Sequence, residues 1–264
     1  MERYTLITGA SSGIGYELAK LFAKDGHNLV LVSRNKEALD KVAAELKTEQ
    51  VKVEVIDKDL FKKDAAVELY LEVKAKGFEI ETLVNDAGQG LYGKFYETDL
   101  QRELDIIHLN ICSLVMLTKH FLKDMIVKGQ GKILNLSSIA SKGPGPYQSV
   151  YHGTKAFVQS FTEAIRSELK DDYKGITVTA LLPGVTDTDF FNKANMQASK
   201  AVQDKSQMAD PAKVAKDGYD ALMAGKDMVI SGFMNKVQVG LESITPDSVV
   251  AEQTKKKQEP VGKK

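Results

Sequence analysis

The sequence predicts a doubly wound α/β domain: a parallel sheet of about seven strands with helices on both faces. Three observations lead there. Seven short runs rich in branched apolar residues alternate with longer stretches of helical periodicity, and such alternation requires crossover connections between parallel strands. The first run feeds a glycine-rich turn that opens a helix. Finally, 264 residues suit one sizeable domain with a full core. No internal repeat or second domain is visible, so residues 1–245 are assigned to the domain and 246–264 to a polar, Lys-rich, partly disordered tail.

The first strand is read at Arg3–Thr8 and is followed by Gly9-Ala10-Ser11-Ser12-Gly13-Ile14-Gly15, then by the helical spacing Leu18, Leu21, Phe22. Missing side chains let backbone N–H groups approach a pyrophosphate, and the helix N-terminus favours its charge. A tight strand-to-helix turn without a ligand is the plainer alternative. The second strand, Asn28–Val32, ends in Ser33-Arg34-Asn35. Sheets that bind NAD place an acidic residue there to accept from the adenosine ribose, whereas a hydroxyl and a guanidinium suit a 2′-phosphate, so NADP(H) is favoured. The third strand, Val51–Ile56, precedes Asp59-Leu60, where Asp59 also fits as an N-cap for the helix that follows. Glu81–Asn85 is the fourth strand and runs into Asp86-Ala87-Gly88.

An apolar helical stretch around Ile106 to Val115 carries Asn110, for which a local backbone hydrogen bond is the simple reading. The fifth strand, Lys132–Leu136, delivers Ser138 to the carboxyl end of the sheet, where ligands of parallel sheets bind and a hydroxyl can donate to a substrate oxygen. In the next helix Phe157, Val158, Phe161, Ile165 and Leu169 recur at helical spacing, so Tyr151 and Lys155 project from one face, one turn apart. A neighbouring ammonium lowers the pKa of a phenol, which fits the pair for acid/base work; a solvated helix face is the alternative. Ile176–Leu182 leads to Pro183-Gly184, and Asp227–Ile230 completes the strands. Between them, 185–208 carries Phe190, Phe191, Met196 and Met208 around a polar middle, a composition that suits a substrate lid over a medium-sized, largely apolar compound, or else a surface helix that touches no substrate.

Together these motifs resemble the short-chain dehydrogenase/reductase family. Thr8 to Gly15 looks like its cofactor turn; Asn85-Asp86-Ala87-Gly88 looks like its N-N-A-G, with Asp86 a departure; Ser138 stands thirteen residues before Tyr151, the family's interval; Pro183-Gly184 matches the pair beside the nicotinamide. The resemblance implies a Rossmann-type sheet of order 3-2-1-4-5-6-7. It also implies a catalytic set of Asn110, Ser138, Tyr151 and Lys155, with Tyr151 as acid/base, Lys155 on the nicotinamide ribose and Asn110 positioning Lys155 through water. Further implied cofactor contacts are Gly9, Ser11, Ser12, Gly13, Ile14, Gly15, Ser33, Arg34, Asp59, Leu60, Asn85, Ala87, Gly88, Pro183, Gly184 and Thr188, with Asp59 and Leu60 bracketing the adenine and Thr188 reaching the carboxamide. The expected activity is hydride transfer between NADP(H) and a carbonyl or secondary alcohol, with 3-oxoacyl reductase and hydroxysteroid dehydrogenase as alternatives within the class. An NADP(H)-binding sensor or scaffold without turnover is the alternative outside it. Family habit adds a homodimer or homotetramer built on the helices carrying Asn110 and Tyr151.

Composition narrows the rest. Thirty-six basic and thirty-six acidic residues cancel, against a general nucleic-acid surface. One cysteine excludes an internal disulfide, and no histidine shares a face with other ligands at metal spacing, so no metal is expected. Met1 leads directly into a strand and no apolar run nears the roughly eighteen residues of a membrane span, so a cytoplasmic location without membrane contact is expected.

Overall fold

The computed structural model describes residues 2–203 and 208–261. Seven parallel strands form one sheet in the order β3-β2-β1-β4-β5-β6-β7. Their ranges are β1 Arg3–Thr8, β2 Asn28–Ser33, β3 Val53–Asp57, β4 Glu79–Asn85, β5 Gly131–Leu136, β6 Ile176–Leu182 and β7 Met228–Ile230. The central runs are mostly apolar because both faces of the sheet are covered, with Thr5, Thr82, Asn135 and Thr179 among their buried polar residues. One face packs side chains of α3 (Ala65–Ala75), α5 (Leu114–Lys128) and α6 (Ser149–Leu169) around Leu6, Leu83 and Ile133. The other packs α1 (Gly13–Lys24), α2 (Lys36–Leu46) and α8 (Pro211–Met223) around Ile7, Leu31, Val84 and Leu134. The fold is a Rossmann-like doubly wound domain, and the strand order reverses between β1 and β4, so a crevice opens at the carboxyl ends of these strands.

Strand ends depart slightly from the sequence expectation. Val51 and Lys52 precede the ladder of β3, and Val51 donates to the Thr48 hydroxyl at 3.1 Å. β4 begins two residues early because Glu79 registers with Arg3. The helix α4 (Leu100–Ile107) continues into α5 through a π-helical turn at His108–Ser113, and that turn holds Asn110.

After β6 the chain forms the short helix α7 (Phe190–Lys193) and a 3₁₀ turn at Lys200–Val202; of the expected lid, 204–207 lies outside the described residues. Beyond β7 come α9 (Phe233–Glu242) and α10 (Asp247–Gln258). The tail over 246–264, expected to be partly disordered, forms α10 and a following turn as far as Val261. Val250 is buried beside Gly143, and the Val261 N–H donates to Ala198 O at 2.7 Å. Lys200 N–H donates to Glu259 O at 3.0 Å, and Ser199 pairs with Pro260. The segment is too polar to show an apolar stripe, so its helix is held by tertiary contacts that local composition does not record. Residues 262–264 lie outside the described part.

Candidate active site

One cleft of about 1480 Å³ runs along the carboxyl ends of the strands, from the turn after β1 to the segment after β6 and on to α9 and α10. Gly9, Ser11, Ser12, Gly13 and Ile14 line one end. Gly9 and Gly13 have φ of +73° and +61°, a region that only glycine enters without strain. Ser12, the N-cap of α1, makes no side-chain capping bond, so the N–H groups of Gly13 and Ile14 are not taken up by the cap, while that of Gly15 turns to Asp86. Gly15 does not line the cleft; a Cβ there would meet Asp86 Oδ2 at 2.5 Å and Gly9 O at 2.7 Å. The missing Cβ lets the helix pack closely on the turn.

At the end of β2, the Ser33 hydroxyl donates to Ser11 Oγ at 3.0 Å, and the Arg34 guanidinium lies over Phe61, 5.1 Å from the ring centroid. Lys58 and Phe61 line this end too and were not found from sequence. Asp59 is no N-cap: Asp64 takes that position before α3, while Asp59 Oδ1 accepts from the Phe61 N–H at 3.3 Å and lines the cleft with Leu60. A glycine cradle, an uncapped helix start and a guanidinium at the β2 end form a donor set that fits a phosphorylated dinucleotide.

Asn85 turns its side chain into the sheet. Its amide donates to Asn135 Oδ1 at 2.9 Å and Thr118 Oγ1 at 3.1 Å inside the sheet, so it ties β4 to β5 and α5 and does not face the cleft. Asp86, Ala87 and Gly88 do line it. Asp86 lies under the glycine turn, where a Cβ on Gly9 would meet its Oδ2 at 2.8 Å. Desolvation pushes its carboxyl up to about 7, against the pull of the Lys155 ammonium, the Gly15 N–H and Lys193.

That placement has a pH signature. The folded protein holds the Asp86 proton up to about 7 while the unfolded chain releases it near 3.8, so stability contributed by the protonated carboxyl is lost as pH rises through this window. Asp86→Asn is expected to flatten the dependence, with a gain above neutrality on the order of 1–4 kcal/mol. Thermal midpoints of both proteins across that range check it, and parallel curves would refute it.

Ser138, Tyr151 and Lys155 meet at the middle of the cleft. Ser138 follows β5; its Oγ accepts from Ala140 N–H at 3.1 Å and donates to Pro183 O at 3.4 Å. Ser137 faces inward and donates to Lys155 O at 2.8 Å. Lys155 Nζ donates to Leu136 O at 2.8 Å and lies 5.8 Å from the Tyr151 ring centroid. Burial pulls its pKa down to about 8, with Asp86 opposing.

The expected lowering of the phenol is not what the surroundings produce. Tyr151 is partly open to the cleft, yet desolvation pushes it up to about 12, opposed by the Ser138 hydroxyl and with no contribution from Lys155. The sequence shows which charge is near, whereas the loss of water around the ring comes from distant segments. A phenol so placed is neutral at physiological pH and suited to give a proton.

Asn110 is buried outside the cleft lining. Its Nδ2 donates to Gln89 O at 2.8 Å and Thr154 Oγ1 at 3.0 Å, and its Oδ1 accepts from Gln89 N–H at 3.0 Å. The bond is therefore not local: it pins the strand-end loop to α6, with Gly88 between Asn110 Oδ1 and Lys155 Nζ. Pro183, Gly184 and Thr188 line the cleft, and Thr188 Cγ2 is 3.1 Å from where a Gly13 Cβ would stand. Phe190 covers the centre, its ring 5.1 Å from that of Tyr151.

The fold and the position of the cleft are of the Rossmann type. The short chain dehydrogenase family model matches residues 3–199, and the chain belongs to this family. It is 38% identical over 188 residues to a very-long-chain 3-oxoacyl-CoA reductase of Anas platyrhynchos, covering 68% of this chain and 58% of that protein. It is 36% identical over 186 residues to 17-beta-hydroxysteroid dehydrogenase type 3 of Rattus norvegicus, covering 69% and 60%. The chain thus spans less than two thirds of these relatives' length. A short-chain dehydrogenase from Sphingobium yanoikuyae in complex with NADPH superposes with a TM-score of 0.80 at 29% identity, covering 93% of this chain and 96% of that one. Among the described residues, no helix is long and apolar enough to cross a membrane.

Proposed function

We propose that this chain is an NADP(H)-dependent carbonyl reductase in which Tyr151 delivers the proton. The observation that carries the reading is the convergence of Ser138, Tyr151 and Lys155 on the same cleft that the glycine turn and Arg34 line. The turn and the N-terminus of α1 would hold the pyrophosphate, Ser33 and Arg34 the 2′-phosphate, and Lys155 the nicotinamide ribose. When bound, the cofactor supplies the hydride. Tyr151, neutral at physiological pH, gives its proton to the substrate oxygen as negative charge develops there, and Ser138 donates a hydrogen bond to the same oxygen. Lys155, at about 8, stays largely cationic near neutrality and favours an electron-rich oxygen in its vicinity. Oxidation of NADPH against a panel of ketones and aldehydes tests the reading, and binding without turnover would favour a sensor or scaffold.

The names of the relatives suggest two substrate classes, 3-oxoacyl compounds and hydroxysteroids. The described part of 185–208 forms the lid in this reading: Phe190 and Phe191 sit edge to face at 5.5 Å, and Phe190 lies against Tyr151. Alanine at both positions is expected to raise KM roughly tenfold and reorder the ketones while NADPH affinity holds, because only the substrate side of the wall is removed. An unchanged ranking would take the lid out of specificity. Leu100 and Leu104 of α4 and Phe157 of α6 are exposed, which supports a homodimer or homotetramer through these helices.

A further inference from the structure

Gln148 is 95% buried yet its Nε2 has no hydrogen-bond partner among the described residues, and the residue lines the cleft. A buried amide left without a partner is costly, so such groups in a native fold are answered by water or by a ligand. Its position is specific. A Cβ built on Gly90 would meet Gln148 Nε2 at 3.4 Å, Tyr151 Cδ2 at 3.3 Å and Phe190 Cζ at 3.0 Å, so the amide, the phenol ring and the lid phenylalanine surround one small space.

The backbone holds the amide there at a cost. Tyr147, the preceding residue, has φ of +68°, a region that bulky side chains rarely enter, and its carbonyl accepts from Gly93 N–H at 2.9 Å. Its ring stacks on Tyr92 with centroids 5.6 Å apart, and the Tyr92 hydroxyl donates to Gln258 O. Gln258, from α10, is itself buried, its Oε1 has no partner among the described residues, and it lines the same cleft. Strain of this kind persists only where the surroundings over-determine it, and it gathers at functional sites.

We propose that the Gln148 amide recognises a second oxygen of the substrate, one set close to the carbonyl being reduced, as in a 3-oxoacyl compound. The inference rests on the reductase reading above and deepens it. A ketosteroid reduced at one end of its ring system has no acceptor near the reacting carbonyl, and would leave the amide unanswered. A site built to hydrogen-bond a substrate group discriminates strongly against analogues that lack it.

The test compares kcat/KM for a 3-oxoacyl ester with that for the ketone of equal length whose ester group is replaced by methylenes, using NADPH and the full chain. Gln148→Leu and the closer-shaped Gln148→Met are measured beside the parent, with NADPH binding as the check on folding. The ratio of the two substrates is expected to fall about tenfold or more in both variants, through loss on the ester while the plain ketone changes within about twofold. Intrinsic reactivity of the two carbonyls is common to all three proteins and cancels. An unchanged ratio, or equal loss on both substrates, would overturn the proposal and leave the reductase reading standing. Absence of turnover with every carbonyl compound would instead remove that reading, and this inference with it.

Discussion

Replacing Tyr151 by phenylalanine is expected to lower turnover by at least about a hundredfold while NADPH affinity stays within about twofold of the parent. The ring keeps its packing against Phe190, and only the transferable proton is lost. Since burial holds the phenol up to about 12, it is protonated across neutral pH, so carbonyl reduction should vary little there and alcohol oxidation should climb with pH. The reason is one of sign: reduction uses the phenol's proton, which is present below that value, and oxidation needs the phenolate, whose share rises toward it. Turnover assays with paired titrations of NADPH fluorescence check this. A phenylalanine variant that keeps more than about a hundredth of the parent rate would take Tyr151 out of the proton transfer.

The second large effect concerns the choice of cofactor. Ser33→Asp with Arg34→Leu is expected to reverse the preference, weakening NADPH by about 10- to 100-fold while strengthening NADH. A charge-assisted hydrogen bond to phosphate is worth roughly 1.5–3 kcal/mol, and the new carboxylate both repels the phosphate and accepts from a ribose hydroxyl. Arg34 is exposed and rests on Phe61, so its removal leaves the core intact. Dissociation constants for both cofactors, measured at one salt concentration for parent and double variant, decide it. A parent that binds NADH as tightly as NADPH would refute the assignment of Ser33 and Arg34.

The strands were legible because a sheet covered on both faces demands mostly apolar runs, as in Leu29–Val32 and, around the buried Asn135, in Ile133–Leu136. Motif positions were legible as well, since the glycine turn, Ser138, Tyr151 and Lys155 do meet in one cleft. What sequence could not supply was direction and environment. Asn85 belongs to a recognisable motif, yet its side chain turns into the sheet toward Asn135. Asn110 bonds across to Gln89, a contact made by the π-helical turn and invisible to local pattern. The pKa of Tyr151 depends on protein that arrives from other parts of the chain. Gln148 stood three residues before Tyr151 without a signal of its own, because burial and the lack of a partner are properties of the folded cavity. The α10 helix was missed for the same reason: its anchors, Val250 and Gln258, are two buried residues in an otherwise polar stretch.

Transfer of deuterium from NADPH labelled at the reactive position of the nicotinamide ring, followed by mass spectrometry of the product, tests the central claim most directly. With a ketone that the protein consumes, one deuterium is expected on the new carbinol carbon, with labelled product forming at least about a hundredfold more slowly when Tyr151 is phenylalanine. An alcohol product without the label, or NADPH that stays bound and unoxidised in the presence of every carbonyl compound tried, would contradict it.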